Sequence, residues 1–146
     1  MIPRRKRPNM PLRQVAGMRA RWPGMNHRIG RDHRTVIWEG HLQPTPESRQ
    51  YRLRIEYGPF GPPKAFVVSP KLPKDAPHVY ADGSLCLYWP VERRWNDRAS
   101  IADTIMGWAA LWLYYFEVWK VAGEWMGPES PHALRLTQKA PEPVGP

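Results

Sequence analysis

The chain has 146 residues, a net charge of +9 and a single cysteine. This length predicts one domain that buries about two-thirds of the surface of its unfolded chain. The most apolar window, residues 101–121, contains Asp103, Glu117 and Lys120, so we do not expect a membrane span. The N-terminal residues are basic and lack the apolar stretch of a secretory signal, so we expect a cytoplasmic protein.

Much of the positive charge lies before residue 35, and such a field favours anionic partners. The alternative is a solvated basic segment that aids solubility. Aromatic residues are not interleaved with these charges as a base-stacking surface requires, so nucleic-acid binding is the less favoured interpretation. We predict a disordered basic arm at residues 1–10, one domain at 11–137 and a proline-rich tail at 138–146.

The first predicted helix covers residues 11–22. Pro11 suits a first helical turn, Leu12 and Val15 recur at helical spacing, and Pro23-Gly24 ends the helix. Residues 35–42 and 64–69 are strand-like, and residues 50–57 alternate apolar with charged side chains, which is typical of a strand with one buried face.

Residues 70–99 contain no clear strand or helix, and so long an irregular connection suggests a functional segment. The second helix is predicted from Ser100, as its cap, to about Ala122, with Asp103 in the first turn and Gly123 ending it. One helix, three or four antiparallel strands, an irregular segment and a second helix predict an α+β fold with the helices on one face of the sheet.

Cys86 lies in the irregular segment, directly after Asp82-Gly83-Ser84. A lone cysteine forms no internal disulfide and lacks the partner thiols of a zinc cluster, so it is either a packing residue or a reactive thiol. The preceding residues are typical of a turn, which predicts that Cys86 lies at a bend near the surface.

The run Gly83-Ser84-Leu85-Cys86-Leu87, preceded by Pro77-His78, resembles the active-site stretch of ubiquitin-conjugating enzymes. In that family a His-Pro-Asn motif lies eight residues before the cysteine, and His78 has the same interval to Cys86. The resemblance continues upstream in Pro59-Phe60-Gly61-Pro62-Pro63-Lys64 and downstream in Trp95 followed by Ser100-Ile101. It covers roughly residues 35–105.

The chain departs from the family pattern at two positions, because His78 stands where the family has its oxyanion-stabilising Asn and Ala76 where it has His. The C-terminal part is rich in tryptophan and includes Gly123-Glu124-Trp125, Gly127 and Pro131-His132. It resembles the bacterial ubiquitin-conjugating-like proteins of antiphage cyclic-oligonucleotide signalling (CBASS) operons.

The resemblance implies a ubiquitin-conjugating-like fold and a cysteine-dependent acyl carrier. Cys86 would take a protein C-terminus as a thioester and transfer it to the amine of a lysine-bearing acceptor. In the systems that the chain resembles, the transferred C-terminus is that of a cyclic-oligonucleotide synthase, and conjugation primes its signalling. His78 would replace the missing Asn by donating a hydrogen bond to the oxyanion, or would instead orient the loop.

The other candidate residues have simpler interpretations. We interpret His132 as a loop anchor, and we expect Trp89 and Trp95 to wall the channel that receives the extended C-terminal peptide. The aromatic residues of the second helix are divided between core and partner surface. We expect no cofactor and no metal, since no set of His, Cys and carboxylate residues recurs at zinc spacing.

Two alternatives remain open from the sequence. A non-catalytic member of the same fold would act as a binding module, which the loss of the Asn favours and the retention of Cys86 opposes. A basic nucleic-acid-binding protein would show strongly salt-dependent binding.

Overall fold

The computed structural model describes residues 12–87, 95 and 98–128. In chain order its elements are α1 (Leu12–Arg21), β1 (Asn26–Ile29), β2 (Val36–Leu42), β3 (Tyr51–Tyr57), β4 (Lys64–Ser69) and α2 (Ile105–Ala122). The predicted α+β class, with an N-terminal helix, an antiparallel meander sheet and a C-terminal helix, is confirmed. The predicted arm and tail, residues 1–10 and 138–146, lie outside the described residues.

The sheet is an antiparallel meander in the order β1-β2-β3-β4. In β3 the residues Tyr51, Leu53, Ile55 and Tyr57 are buried and the residues between them are not, which is the alternation that the sequence predicts. The register places Ile55 between Trp38 of β2 and Ala65 of β4, so that buried side chains of neighbouring strands share one face.

Strand β1 has no clear signal in the sequence. All four of its residues are exposed, so it shows no alternation of apolar and polar side chains. Its pairing with β2, from Asn26 opposite Glu39 to Ile29 opposite Val36, is what defines it as a strand. An edge strand of this kind is held by backbone hydrogen bonds to its neighbour and not by burial of its own side chains.

Both helices contribute to the core on the buried face of the sheet. Val15 and Met18 of α1 and Ile105, Leu113 and Phe116 of α2 belong to the same buried cluster as the inner residues of β2 and β3. At one end of this layer, Phe116 packs edge-to-face on Tyr51 with ring centroids 6.4 Å apart. At the other end, the indole of Trp22 donates a hydrogen bond of 2.9 Å to the carbonyl oxygen of Ala102.

The start of α2 differs from the prediction, because the helix begins at Ile105 and not after Ser100. Ser100 instead organises a separate turn, in which its hydroxyl accepts the N–H of Asp103 at 3.3 Å and its carbonyl accepts the N–H of Thr104 at 3.0 Å. The side chain of Gln14 in α1 stabilises this turn through two hydrogen bonds. Its amide N–H donates to the carbonyl of Ala99 at 2.7 Å, and its amide oxygen accepts the N–H of Ile101 at 2.8 Å.

The end of α2 agrees with the prediction. Gly123 has a positive φ of 80°, a conformation that glycine adopts without steric cost, and its N–H donates to the carbonyl of Trp119 at 2.8 Å. Among the residues that the structure describes, no helix combines the length and the apolar character that crossing a membrane requires.

Candidate active site

Cys86 lies at the end of a short β-hairpin, here called the cysteine hairpin (residues 78–86). Val79 and Leu85 form an isolated antiparallel bridge, and the N–H of Tyr80 donates to the carbonyl of Ser84 at 2.8 Å. The turn closes with a 2.9 Å bond from the N–H of Gly83 to the carbonyl of Tyr80, and Gly83 has a φ of 91°. This left-handed conformation explains why glycine occupies that position.

Asp82 fastens the turn of the cysteine hairpin to the sheet. One of its carboxylate oxygens accepts both the N–H and the hydroxyl of Ser84, at 2.9 and 2.6 Å. The other accepts the Nζ of Lys64 in β4 at 2.8 Å. The bond from Lys64, followed by those from Ser84, holds the pKa of the Asp82 carboxyl well below its usual range. The carboxylate is therefore ionised at neutral pH, which keeps the turn closed.

Backbone hydrogen bonds place the cysteine hairpin between β4 and α2. The N–H of Leu85 donates to the carbonyl of Ala65 in β4 at 2.8 Å. The carbonyl of His78 accepts two donors, the N–H of Cys86 at 2.9 Å and the indole N–H of Trp112 in α2 at 3.1 Å. The loop is thus fixed on both sides, and its position relative to α2 depends on the backbone of His78.

The predicted surface exposure of Cys86 is wrong, because only 3% of the residue is accessible. The turn before it sets the local direction of the chain, but the hairpin then packs beneath α2 and the segment that follows α2. The thiol donates a hydrogen bond of 3.3 Å to the phenol oxygen of Tyr80, a residue that is 38% exposed. Tyr80 is therefore the boundary between the sulfur and solvent on this side of the hairpin.

The environment of Tyr80 keeps its phenol protonated. Burial raises the pKa of the Tyr80 hydroxyl well above its usual range, and the hydrogen bond to Cys86 contributes in the same direction. A neutral phenol has one O–H to donate in addition to its acceptor lone pairs. It can therefore accept from the thiol, and it can donate to a thiolate once the sulfur loses its proton.

His78 is brought close to Cys86 through the backbone bond described above, and its own backbone is unusual. Its φ is 57°, in the left-handed region that Asn, Asp and His adopt more readily than other non-glycine residues. The partly buried ring packs on the indole of Trp125 with centroids 4.7 Å apart and planes tilted by 50°. The backbone conformation offers a physical reason why His can stand where the resembling family has Asn.

Cys86 opens onto a pocket of about 340 Å³, including space continuous with solvent. Aromatic residues dominate its walls, and the lining consists of Cys86, Leu87, Trp108, Leu111, Trp112, Tyr115, Trp125 and Pro128. Most of these side chains come from α2 and the segment that follows it. The pocket is thus an apolar space with one nucleophilic atom at its base, which is suited to an extended, uncharged peptide segment.

The segment after α2 closes the pocket through a tight backbone contact. A Cβ atom added to Gly127 would lie 2.6 Å from the ring of Tyr115, so only glycine fits against that ring. This contact holds Trp125 over the pocket, with its ring 5.5 Å from that of Trp112 and 6.0 Å from that of Tyr115. The indole nitrogen of Trp125 is buried and has no hydrogen-bond partner among the described residues.

The remaining predicted residues are placed as follows. Trp95 packs edge-to-face on Tyr57 of β3, with centroids 5.7 Å apart, and is not among the residues that line the pocket. Trp89 and His132 lie outside the described residues. Among the aromatic residues of α2, Trp112 and Phe116 are buried while Tyr114 is 43% exposed, and the partner surface stays a prediction. Within the described part of the chain, no group of three or more His, Cys, Asp or Glu residues is arranged to hold a metal ion.

Sequence reasoning missed Tyr80 and Trp125 as parts of the site. The Asp82-Gly83 pair is typical of a hairpin turn, and in a hairpin the residues of the two arms lie close together. This pattern is the sequence signal that could have placed Tyr80 beside Cys86. Trp125 has no comparable signal, because its position depends on how the chain turns back after Gly123.

One comparison with known proteins identifies a family. A family model described as Type II CBASS E2 protein matches residues 14–133 of the chain. The matched range includes α1 from its third residue, the whole sheet, the cysteine hairpin and α2. No curated protein matches the chain significantly.

Proposed function

The chain belongs to the family of Type II CBASS E2 proteins, and on that premise we propose that it is a cysteine-dependent acyl carrier. Cys86 receives a protein C-terminus as a thioester and passes it to an amine. The observation that carries this proposal is the position of the chain's only cysteine, on a fixed hairpin at the base of an apolar pocket.

Loading is an exchange of one thioester for another. The donor is a protein C-terminus already activated as a thioester on another cysteine. The Cys86 thiolate attacks the carbonyl carbon, the new carbon–sulfur bond forms, the old one breaks, and the donor sulfur leaves as a thiolate that takes up the proton given up by Cys86. Tyr80 supports this step, because its O–H lies within reach of the sulfur and can stabilise the thiolate by hydrogen bonding.

Transfer is attack by an amine on the bound thioester. The amine nitrogen bonds to the carbonyl carbon, the carbonyl oxygen carries the negative charge of the tetrahedral intermediate, and Cys86 leaves as a thiolate while the amine loses a proton to solvent. We assign to His78 the donation of a hydrogen bond to that oxyanion. Its support is the position of His78 beside Cys86 and Trp125, in the place of the family's Asn.

The partner follows from the family and not from the geometry. CBASS membership supports a role in antiphage defence, and the resemblance supports a cyclic-oligonucleotide synthase as the protein that donates its C-terminus. The acceptor is a protein that presents a lysine. The pocket supports an extended peptide as the bound segment, because its walls are apolar and it has no described charged side chain in its lining.

A second candidate is a non-catalytic binding module of the same fold. The low exposure of Cys86 favours it, because a cysteine that is 3% accessible as a residue cannot meet a large donor without a movement of the residues that cover it. The experiment below separates the two, since a binding module holds its partner without a covalent bond.

The test is to co-express the protein with a cyclic-oligonucleotide synthase of a CBASS operon and to separate the products on non-reducing gels. We expect an adduct that reductant and hydroxylamine remove, that Cys86→Ala abolishes, and that Cys86→Ser replaces with a more stable oxyester. Because Cys86 is the only cysteine, no other residue of this chain can substitute for it. An adduct that persists in Cys86→Ala, or complex formation with no adduct, overturns the proposal.

A further inference from the structure

The indole N–H of Trp125 is a buried hydrogen-bond donor for which the described residues supply no acceptor. Leaving such a group unpaired away from water costs free energy comparable to that of a lost hydrogen bond, and buried donors in folded proteins are therefore almost always paired. An exception next to a reactive atom needs a physical explanation.

Two other tryptophans of the same core have indole N–H groups that are hydrogen-bonded. The indole of Trp112 donates to the carbonyl of His78 at 3.1 Å, and the indole of Trp22 donates to the carbonyl of Ala102 at 2.9 Å. Each of these donors fastens one segment to another. Trp125 lies between Trp112 and Tyr115 in the same aromatic cluster, yet its N–H fastens nothing that the structure describes.

The ring of Trp125 is held in place by its neighbours. His78 packs against it at 4.7 Å, Trp112 and Tyr115 lie on other sides, and Gly127 fixes the backbone close to Tyr115. Turning the N–H toward solvent would break these contacts. The same ring lines the pocket that contains the sulfur of Cys86. The residue that carries this donor thus lines the space where an acyl group would be carried, and the donor has no acceptor among the described residues.

From this arrangement we infer that the indole N–H of Trp125 binds the carbonyl oxygen of the acyl group on Cys86. The inference rests on the proposed function, because the acceptor is present only while the thioester exists. No proton is transferred: the N–H stays on the indole while the amine forms its bond to carbon and the carbon–sulfur bond breaks. A donor in place before the reaction stabilises the oxyanion without reorganisation.

The decisive variant is Trp125→Phe, which removes the N–H and keeps an aromatic ring. We expect wild-type amounts of charged intermediate, discharge to free lysine slowed by about 10²-fold, and a smaller fall in melting temperature than in Trp112→Phe, which loses the same ring atoms and a hydrogen bond as well. The matched control is Trp112→Phe, which removes a donor that already has an acceptor. That control should lower the melting temperature.

A spectroscopic readout tests the hydrogen bond itself. In ¹⁵N-labelled Cys86→Ser protein, the indole resonance of Trp125, assigned by its absence in Trp125→Phe, should move downfield when the stable oxyester forms. If Trp125→Phe discharges at the wild-type rate and this resonance does not move, the inference is wrong while the acyl-carrier function stands. A fall in melting temperature in Trp125→Phe as large as that in Trp112→Phe also overturns it, because the N–H of Trp125 then has a structural partner. If wild-type protein forms no adduct at all, the proposed function itself fails.

Discussion

The phenol oxygen of Tyr80 lies 3.3 Å from the sulfur of Cys86, and the two residues come from opposite arms of one hairpin. Because the sulfur is buried and Tyr80 is partly exposed, the phenol covers the nucleophile and is also its hydrogen-bond partner. The same side chain thus shields the sulfur on one side of the hairpin and can donate a hydrogen bond to its thiolate.

Replacing Tyr80 should change the reactivity of Cys86 toward a small thiol reagent such as dithionitrobenzoate. Tyr80→Phe keeps the cover and loses the O–H that stabilises the thiolate, a hydrogen bond worth about 1 kcal/mol, so we expect the reaction to be about fivefold slower. Tyr80→Ala also removes the cover and should therefore react faster than Tyr80→Phe. Stopped-flow absorbance measures both rates. The control is Phe60→Ala, which removes an exposed aromatic side chain that does not line the pocket, and equal rates for all four proteins would contradict the prediction.

Substitution of His78 should affect transfer more than loading, since transfer alone passes through an oxyanion formed during amine attack. His78→Ala should leave the charged intermediate detectable and slow its discharge to lysine by about 10²–10³-fold. Single-turnover discharge assays on pre-charged protein measure this step by itself.

The backbone of His78 requires a second variant, because alanine is disfavoured at a φ of 57°. His78→Gly tolerates that conformation and also lacks a side-chain donor, so it should reproduce the slow discharge with little loss of stability. Equal loss of charging and discharge in both variants, or a fall in melting temperature that accounts for both losses, would assign His78 to structure.

Asp82→Asn should loosen the cysteine hairpin in a pH-dependent way. The carboxyl pKa of Asp82 is lowered in the folded protein, so its ionised form contributes stability above the unfolded value of about 3.9, and this contribution is lost as the pH falls through the lower folded value. The melting temperature of the wild type should therefore exceed that of the variant at neutral pH, and the difference should shrink below roughly pH 4.

Differential scanning fluorimetry over a pH series measures this difference. Asp75→Asn is the matched control, because Asp75 is exposed and lies in the segment just before the hairpin. On the alkaline side, the hydrogen bond to Asp82 raises the pKa of Lys64, so its contribution is present below the ordinary lysine pKa and disappears only as the pH rises through the raised value. A difference that is independent of pH from acid to neutral would show that the charge of Asp82 is not what matters.

Deletion of residues 1–10 should slow association with an acidic partner at low ionic strength. The segment contains Arg4, Arg5, Lys6 and Arg7 and precedes α1 in the chain. Clustered charges mainly increase the association rate, and salt screens that effect. Surface plasmon resonance at two salt concentrations measures it. The melting temperature of the truncated chain should equal that of the full-length chain. Identical association rates of the two chains at low salt would contradict the prediction and would show that the arm only aids solubility.

The sequence predicts the parts of this fold that follow from local periodicity. The strand predicted at residues 64–69 matches β4, and the alternation at residues 50–57 predicts both the extent of β3 and its buried face. Strand β1 escapes prediction because its exposed residues carry no pattern. The start of α2 escapes because a long-range contact from Gln14 decides it.

The candidate site is likewise predictable only where it depends on local sequence. The interval between His78 and Cys86 and the turn between them are local features, and the structure places both as one hairpin. The burial of Cys86 is not local, since it depends on α2 and on the reversal after Gly123. Tyr80 and Trp125 belong to the site because of the same long-range packing. Short sequence motifs do not encode such packing, so they could not predict these two residues.

The low accessibility of Cys86 also affects how fast its thiol is oxidised while no acyl group is bound. Oxidation of a cysteine to sulfenic acid depends on the exposure and thiolate character of the sulfur, and here the residue is buried. Peroxide therefore has little access to the Cys86 thiol while no acyl group is bound to it. The burial that the proposed donor must overcome is thus also a protection of the thiol against oxidation.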